Sequence, residues 1–135
     1  MRAELRIPRD PAFVGLARLV VAHGARLAGV AQDRVEDVKI AVAEALAVAT
    51  VGRGAEGATD HITLHFGVTD AGFEVTVVGL DEPAVAADAE DSMRLDLLDL
   101  LDPKLGFTLI EGLTDEFGFE PDGDTMRVRF VVGVG

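Results

Sequence analysis

The sequence contains no cysteine, tryptophan, tyrosine or asparagine, and it contains one serine, Ser92. Without cysteine the chain can form neither a disulfide nor a thiolate metal site, which fits a reducing compartment such as the cytoplasm. Ser92 is better explained as a helix cap than as a nucleophile, because no base is paired with it. No leader with a cleavage site and no apolar run of about 18 residues is present. We therefore expect a cytoplasmic protein with no membrane partner.

Basic residues are scarce: 12 Lys and Arg stand against 24 Asp and Glu, so the net charge is −12. Binding to nucleic acid depends largely on Lys and Arg displacing counterions from phosphates. Direct binding of nucleic acid is therefore not expected. The acidity either keeps the protein soluble or faces a basic partner surface. Since 49% of the 135 residues are apolar, residues 1–135 are predicted to form one domain around one core.

The order of predicted elements is strand, two helices, hairpin, two short helices and a second hairpin. Apolar periodicity and turn residues place the strands at 3–7, 61–66, 73–78, 116–120 and 125–132, and the helices at 11–27, 32 to about 52, 93–101 and 107–114. The triplet from Asp70 to Gly72 is predicted to be the first hairpin turn, and residues 79–91 a loop. This order predicts an α+β fold, a two-layer sandwich with the helices on one face of a mixed, mostly antiparallel sheet.

Short sequence blocks in this order resemble one known family. They are Leu5-Arg-Ile-Pro8, Ala17-Arg-Leu-Val20, Val38-Lys-Ile-Ala-Val-Ala-Glu-Ala45, Val75-Thr-Val77, Leu105-Gly-Phe-Thr-Leu-Ile110, Thr114-Asp-Glu116 and Asp122-Gly-Asp-Thr125. Together they resemble the bacterial anti-sigma serine kinases, a branch of the GHKL (histidine-kinase-like) ATPase superfamily. The resemblance covers nearly the whole chain and implies the Bergerat-type ATPase fold.

The family's second helix carries Glu, three further residues and then Asn. Residues four apart share a helix face, so the Glu acts as a base while the Asn oxygen binds the Mg²⁺ of the triphosphate. In this chain Glu44 is present, but Val48 stands in the Asn position, and no other asparagine could replace it. Glu44 is therefore either a relic base or a carboxylate at the surface end of a buried helix.

The family's second motif, Asp-x-Gly-x-Gly, holds adenine by its Asp and lets the backbone approach the nucleotide through its glycines. The aligned segment here is Gly79-Leu-Asp-Glu-Pro83, in which all three defining positions differ. Asp81 is either a substitute acceptor for adenine or a solvated loop residue.

A third family motif, Gly-x-Gly before a helix, cradles phosphates with backbone N–H groups. It reads Lys104-Leu-Gly106 here, so one glycine is lost, and Lys104 could hold an anion. Thr125 matches a threonine that helps the family's Asp to hold adenine through water. Because that Asp is absent, Thr125 is interpreted mainly as a good residue to open a strand.

Acidic side chains crowd the segment that forms the ATP lid in the relatives. They are Asp81, Glu82, Asp88, Glu90, Asp91, Asp96, Asp99 and Asp102. A triphosphate would face like charge there, at a cost of about 4 kcal/mol for one pair of unit charges about 4 Å apart before screening. The lid is therefore predicted to close over a protein surface. Alternatively, each of these acidic side chains lies on a solvated helix face.

The three histidines do not predict a metal site. His61 and His65 share one face of a strand, His23 lies on the first helix, and no carboxylate is spaced to complete a site. We expect these side chains to face solvent or a protein interface.

The resemblance implies a regulator that works by partner switching, with a sigma factor or an anti-anti-sigma protein as its partner. It also suggests a homodimer through the N-terminal elements. The altered motifs predict no cofactor, because ATP binding would be lost or strongly weakened. The alternative is an active serine/threonine protein kinase that binds ATP with Mg²⁺ and phosphorylates an anti-anti-sigma partner, with Glu44 as its base. A third possibility is a sensor that holds an uncharged ligand in the vacated pocket.

Overall fold

The computed structural model describes residues 1–50, 61–80, 103–122 and 125–134. The elements are β1 (Arg2–Pro8), α1 (Val14–Ala28), α2 (Gln32–Thr50), β2 (His61–Thr69), β3 (Gly72–Leu80), α3 (Pro103–Leu113), β4 (Glu116–Asp122) and β5 (Thr125–Val132). All five predicted strands are confirmed, each within a few residues of its predicted bounds. The predicted helix 93–101 and residues 81–91 of the predicted loop lie outside the described residues.

The five described strands form one sheet in the order β1-β2-β3-β5-β4. Every pairing in this sheet is antiparallel, whereas the sequence predicts a mixed, mostly antiparallel sheet. The difference comes from the second hairpin, which places β5 beside β3. Strands β3 and β4 run in the same direction, but β5 separates them, so no parallel pair forms.

The first helix begins and ends at residues that suit those positions. Asp10 caps a short 3₁₀ turn, Pro11–Phe13, by accepting a 2.9 Å hydrogen bond from the N–H of Ala12. Pro11 suits the first helical position because proline has no N–H to leave unpaired. At the other end Gly29 has φ +96°, and the N–H of Val30 bonds the Ala25 carbonyl at 3.0 Å. This left-handed cap stops α1 at the glycine that the sequence predicts.

The helices cover one face of the sheet, so the predicted two-layer α+β architecture is confirmed. The core between the layers contains α1 and α2 side chains against alternate residues of β2, β3 and β5, among them Leu46, Leu64, Phe73, Val77 and Phe130, all fully buried. Gly24 allows α1 to approach the sheet closely, because a Cβ there would lie 2.7 Å from the ring of Phe66. The opposite face of the sheet is polar.

Within the described residues, no helix combines the length and apolar character needed to cross a membrane. His61 and His65 are both exposed on the polar face of the sheet, and His23 is exposed on α1, which confirms their predicted exposure. No group of three potential metal ligands occurs among the residues described.

Candidate functional site

The C-terminal half of α2 carries the first candidate site residue. Glu44 is half-buried and lies two positions after Val42, which is fully buried in the core. In the part of the chain that the structure describes, the Glu44 carboxylate forms no hydrogen bond or ion pair. Val48 lies one turn further along the same helix, and its side chain is outside the described residues. The position of Glu44 fits both interpretations of it, a base and a surface carboxylate.

Gly79, the residue that the sequence comparison above aligns with the family's adenine-binding Asp, lies in an irregularity near the end of β3. The register between β3 and β5 slips here, from Val78 opposite Arg127 to Leu80 opposite Met126. Gly79 itself is buried and has φ +95°. Residues with a Cβ rarely adopt this left-handed conformation, whereas glycine adopts it readily. The glycine is therefore suited to the bulge, and a side chain at this position would strain the backbone.

The guanidinium of Arg9 donates a hydrogen bond to the carbonyl oxygen of Gly79. Arg9 follows β1, 70 positions before the glycine, so no local sequence pattern predicts this contact. An arginine side chain contributes only donors. The adenine amino group is itself a donor and needs an acceptor, which a carboxylate supplies in the family motif. At this point the chain therefore presents a guanidinium donor and a carbonyl that already accepts a hydrogen bond.

Lys104 and Gly106, the candidate phosphate-binding residues, lie in the first turn of α3. The sequence predicts a loop here, with the helix beginning at Phe107, but α3 begins at Pro103. Proline favours the first position of a helix, which accounts for the earlier start. The first four N–H groups of a helix have no partner within the helix, and Lys104 and Gly106 fall at these positions in α3. The side chains of residues 103–107 lie outside the described residues.

The structure places the elements that carry the candidate residues beside one another. α2 packs against α3 and also contacts β3, so the helix of Glu44 adjoins the elements of Gly106 and Gly79. Thr125 is the first residue of β5, as predicted, and precedes Met126, the partner of Leu80. Asp81 and Pro83 lie outside the described residues, as do the other acidic residues of the predicted lid.

Comparison with known proteins agrees with this architecture. Residues 7–131 match the family model for the histidine kinase-like ATPase domain. The serine-protein kinase RsbW of Bacillus subtilis is 35% identical over 74 residues, which are 55% of this chain and 46% of that kinase. RsbW of Halalkalibacterium halodurans is 31% identical over 126 residues, which are 88% of this chain and 75% of that kinase. The match thus spans about half of the first relative and three quarters of the second.

The matching family model spans every described element from α1 to β4 and most of β5. The chain therefore belongs to the histidine kinase-like ATPase domain family, in the branch of the anti-sigma serine kinases.

Proposed function

We propose that this protein is an anti-sigma-factor-like regulator that acts by binding protein partners and has lost, or strongly weakened, its binding of Mg-ATP. The observation that carries the proposal is Val48 in a chain without asparagine. Mg²⁺ takes hard oxygen ligands in a near-ideal octahedron and dehydrates reluctantly. Valine offers no oxygen, so the ion would lose the protein ligand that the family supplies from α2.

The surroundings of Gly79 support the same conclusion for the adenine end of the nucleotide. The family's carboxylate is replaced by a glycine whose carbonyl is bonded to Arg9. A buried polar group without a partner costs about 1–3 kcal/mol. The amino group of adenine would face that cost here, because the acceptor that satisfies it in the family is absent.

Calorimetric titration with Mg-ATP tests the proposal. We expect no heat of binding at ligand concentrations up to about 1 mM, which corresponds to a binding free energy weaker than about −4 kcal/mol. RsbW of Halalkalibacterium halodurans, titrated in the same buffer, is the positive control. Micromolar affinity of this chain for ATP that disappears when Mg²⁺ is omitted would contradict the proposal.

The partner would be a sigma factor or an anti-anti-sigma protein, which is the class of partner for this branch of the family. A homodimer through the N-terminal elements belongs to the same proposal, and β1, an edge strand of the sheet, is available for it. Sedimentation equilibrium of the purified chain measures whether a dimer forms at micromolar concentration.

An active protein-serine kinase is the second candidate, and it is favoured by the names of the matching relatives, which are serine-protein kinases. Glu44 would be its base, and its half-buried position on α2 is compatible with that role. This candidate predicts transfer of labelled phosphate to a serine of a small regulatory partner, and Glu44→Ala would abolish the transfer. Absence of transfer by the wild-type chain would leave the binding function as the better explanation.

A further inference from the structure

Strand β4 lies at one edge of the sheet and is regular along its length. Among the described strands it pairs with β5 alone, and the register from Glu116 to Asp122 is continuous. An edge strand presents backbone N–H and C=O groups that no neighbouring strand satisfies, and proteins often protect such an edge with lysine, a proline or a bulge. β4 contains no lysine, and its proline, Pro121, lies near its end. Residues 116–120 therefore form an edge that can accept another strand.

One face of β4 carries a pair of aromatic rings. Phe117 and Phe119 lie opposite Phe130 and Val128 of β5, which are both fully buried, so the two rings are on the side of the sheet that faces the helices. The ring centroids are 6.0 Å apart. Phe117 is half-buried against the core, whereas Phe119 is 53% exposed. An apolar side chain of an added strand could therefore bury more of Phe119.

The other face of β4 carries carboxylates. Glu116 and Glu120 are exposed, and they lie 3.4 Å from Arg129 and 3.6 Å from Arg127, respectively. A carboxylate has about four acceptor positions, so each glutamate can also accept donors from a second side. Gly118 lies between the two glutamates, and a Cβ there would meet nothing within 4 Å. That space can hold the aliphatic stem of a long basic side chain.

The sequence around β4 is acidic without interruption. No Lys or Arg occurs between Lys104 and Arg127. The acidic residues of this interval are Glu111, Asp115, Glu116, Glu120, Asp122 and Asp124. Complementary charges favour a complex and accelerate encounter, whereas juxtaposed like charges disfavour it. The preferred occupant of this edge is therefore basic.

A second copy of the chain fits this edge poorly. An antiparallel pair of β4 strands centred on Gly118 would place Glu116 of one copy opposite Glu120 of the other, and like charges directly opposite destabilise a sheet. β1 carries Arg2 and Arg6, but pairing β4 with β1 of a second copy leaves a free edge on each side and builds an open chain of copies. Every copy in that chain would carry a net charge of −12.

We infer that β4 binds an extended segment of a basic partner protein, which adds a strand to the sheet. Apolar residues of the segment lie beside Phe117 and Phe119, and the alternate residues, Lys or Arg, lie beside Glu116 and Glu120. In this mode of recognition the main-chain hydrogen bonds give affinity and the alternate side chains give specificity. The inference rests on the proposed protein-binding function and adds to it a surface and the chemistry of the partner. It does not depend on the residues of the nucleotide motifs.

The test uses three synthetic peptides of about nine residues. The first alternates Lys or Arg with Val or Leu, and the second has Glu at every basic position. The third keeps the basic sequence but has N-methylated backbone amides, so it cannot donate main-chain hydrogen bonds to an edge strand. Chemical-shift mapping on the ¹⁵N-labelled full chain locates the bound peptide, and anisotropy of a labelled peptide measures affinity.

We expect the basic peptide to bind, with shifts concentrated in residues 116–122 and in the adjoining strand β5. Its affinity should fall at higher salt. The acidic and the N-methylated peptides should each bind at least about tenfold more weakly, because the first lacks the complementary charges and the second lacks the main-chain donors.

Variants of β4 and a matched control sharpen the result. Phe119→Ala should weaken the basic peptide at least about fivefold, as for an interface anchor. The double variant Glu116→Gln and Glu120→Gln should reduce both the preference over the acidic peptide and the effect of salt. Leu27→Ala removes another exposed apolar side chain, on α1, where the exposed fraction is 70%, and should change affinity less than about twofold. Circular dichroism confirms that each variant is folded.

Four outcomes would overturn the inference. They are equal binding of the basic and acidic peptides, undiminished binding of the N-methylated peptide, chemical shifts away from β4 and β5, and a wild-type oligomer that Phe119→Ala dissociates in sedimentation equilibrium, because the edge would then pair with a second copy. The proposed function is tested separately, since Mg-ATP titration of the same sample can succeed or fail independently of peptide binding.

Discussion

At the scale of single residues, Gly79 has the least common backbone conformation among the candidate site residues that the structure describes. Its φ of +95° within the β3 bulge belongs to the left-handed region, which costs a residue with a Cβ roughly 1–2 kcal/mol. A glycine at this position therefore lets the chain adopt a conformation that most other residues would strain to reach. Arg9 then holds the carbonyl of this residue.

We predict that Gly79→Ala lowers the free energy of unfolding by about 1–2 kcal/mol, because alanine must adopt the strained conformation. Gly118→Ala is the control, since a Cβ at position 118 meets nothing within 4 Å and its φ is not positive. That variant should stay within about 0.5 kcal/mol of wild type or be slightly stabilised. Urea unfolding followed by far-UV circular dichroism measures both, because the chain has no Trp or Tyr for fluorescence. Equal effects of the two substitutions would contradict the prediction.

At the scale of elements, Arg34 connects the start of α2 to the end of α3 and to the sheet. Its guanidinium lies 2.6 Å from the Asp37 carboxylate and 3.0 Å from that of Asp115, and it donates to the Leu113 carbonyl at 3.2 Å. Asp115 in turn accepts a 2.6 Å hydrogen bond from the N–H of Gly133. One side chain thus links two helices with the strands at one end of the sheet.

We predict that Arg34→Ala destabilises the fold by about 1–2 kcal/mol, because it removes two charge-assisted hydrogen bonds that join separate elements and a third within α2. Lys39→Ala is the matched control on the same helix. Lys39 pairs with Glu36 at 3.4 Å within one turn of α2, and an exposed pair of this kind contributes about 0.3–0.5 kcal/mol. Arg34→Lys should recover little of the loss, since an ammonium cannot reproduce the planar fork. Urea unfolding of the three variants measures their stability. Equal losses of stability for Arg34→Ala and Lys39→Ala would refute the prediction.

At the scale of the whole molecule, features set by local sequence were predictable and features set by distant contacts were not. Alternating strands, the Asp70 to Gly72 turn and the Gly29 helix end depend on neighbouring residues, and all are confirmed. The predicted start of α3 at Phe107 was wrong, because the family motif places Lys104-Leu-Gly106 before a helix, whereas the helix begins at Pro103. The Arg9 contact with Gly79 joins residues 70 positions apart, and no pattern in the sequence indicates it.

The two faces of the sheet are stabilised by different interactions. The face toward the helices buries apolar side chains, whereas on the polar face Arg129 of β5 pairs with Glu74 of β3 and Glu116 of β4. Val131 is fully buried although it points to the polar face, and it lies between these two glutamates in the strand register. The ion-pair network therefore covers it and ties three strands together.

The same network predicts how the stability contributed by Arg129 responds to pH. The hydrogen bond with Glu74, opposed by burial and assisted by the charges of both glutamates, raises the pKa of Arg129 above its ordinary value. A group whose folded pKa is raised contributes stability that is fully present below its unfolded pKa and is lost only as pH rises through the folded pKa. The contribution of Arg129 should therefore be constant across neutral and mildly alkaline pH.

We accordingly predict that Glu74→Gln lowers the free energy of unfolding by about 0.5–1 kcal/mol, a small value because solvent screens the partly exposed pair. The loss should be the same at about pH 7 and pH 9. Glu120→Gln removes a more exposed partner, 3.6 Å from Arg127, and should cost less than about 0.5 kcal/mol. Urea unfolding of both variants at the two pH values measures this. A cost of Glu74→Gln that falls sharply by pH 9 would mean that a group other than Arg129 determines how this face is stabilised.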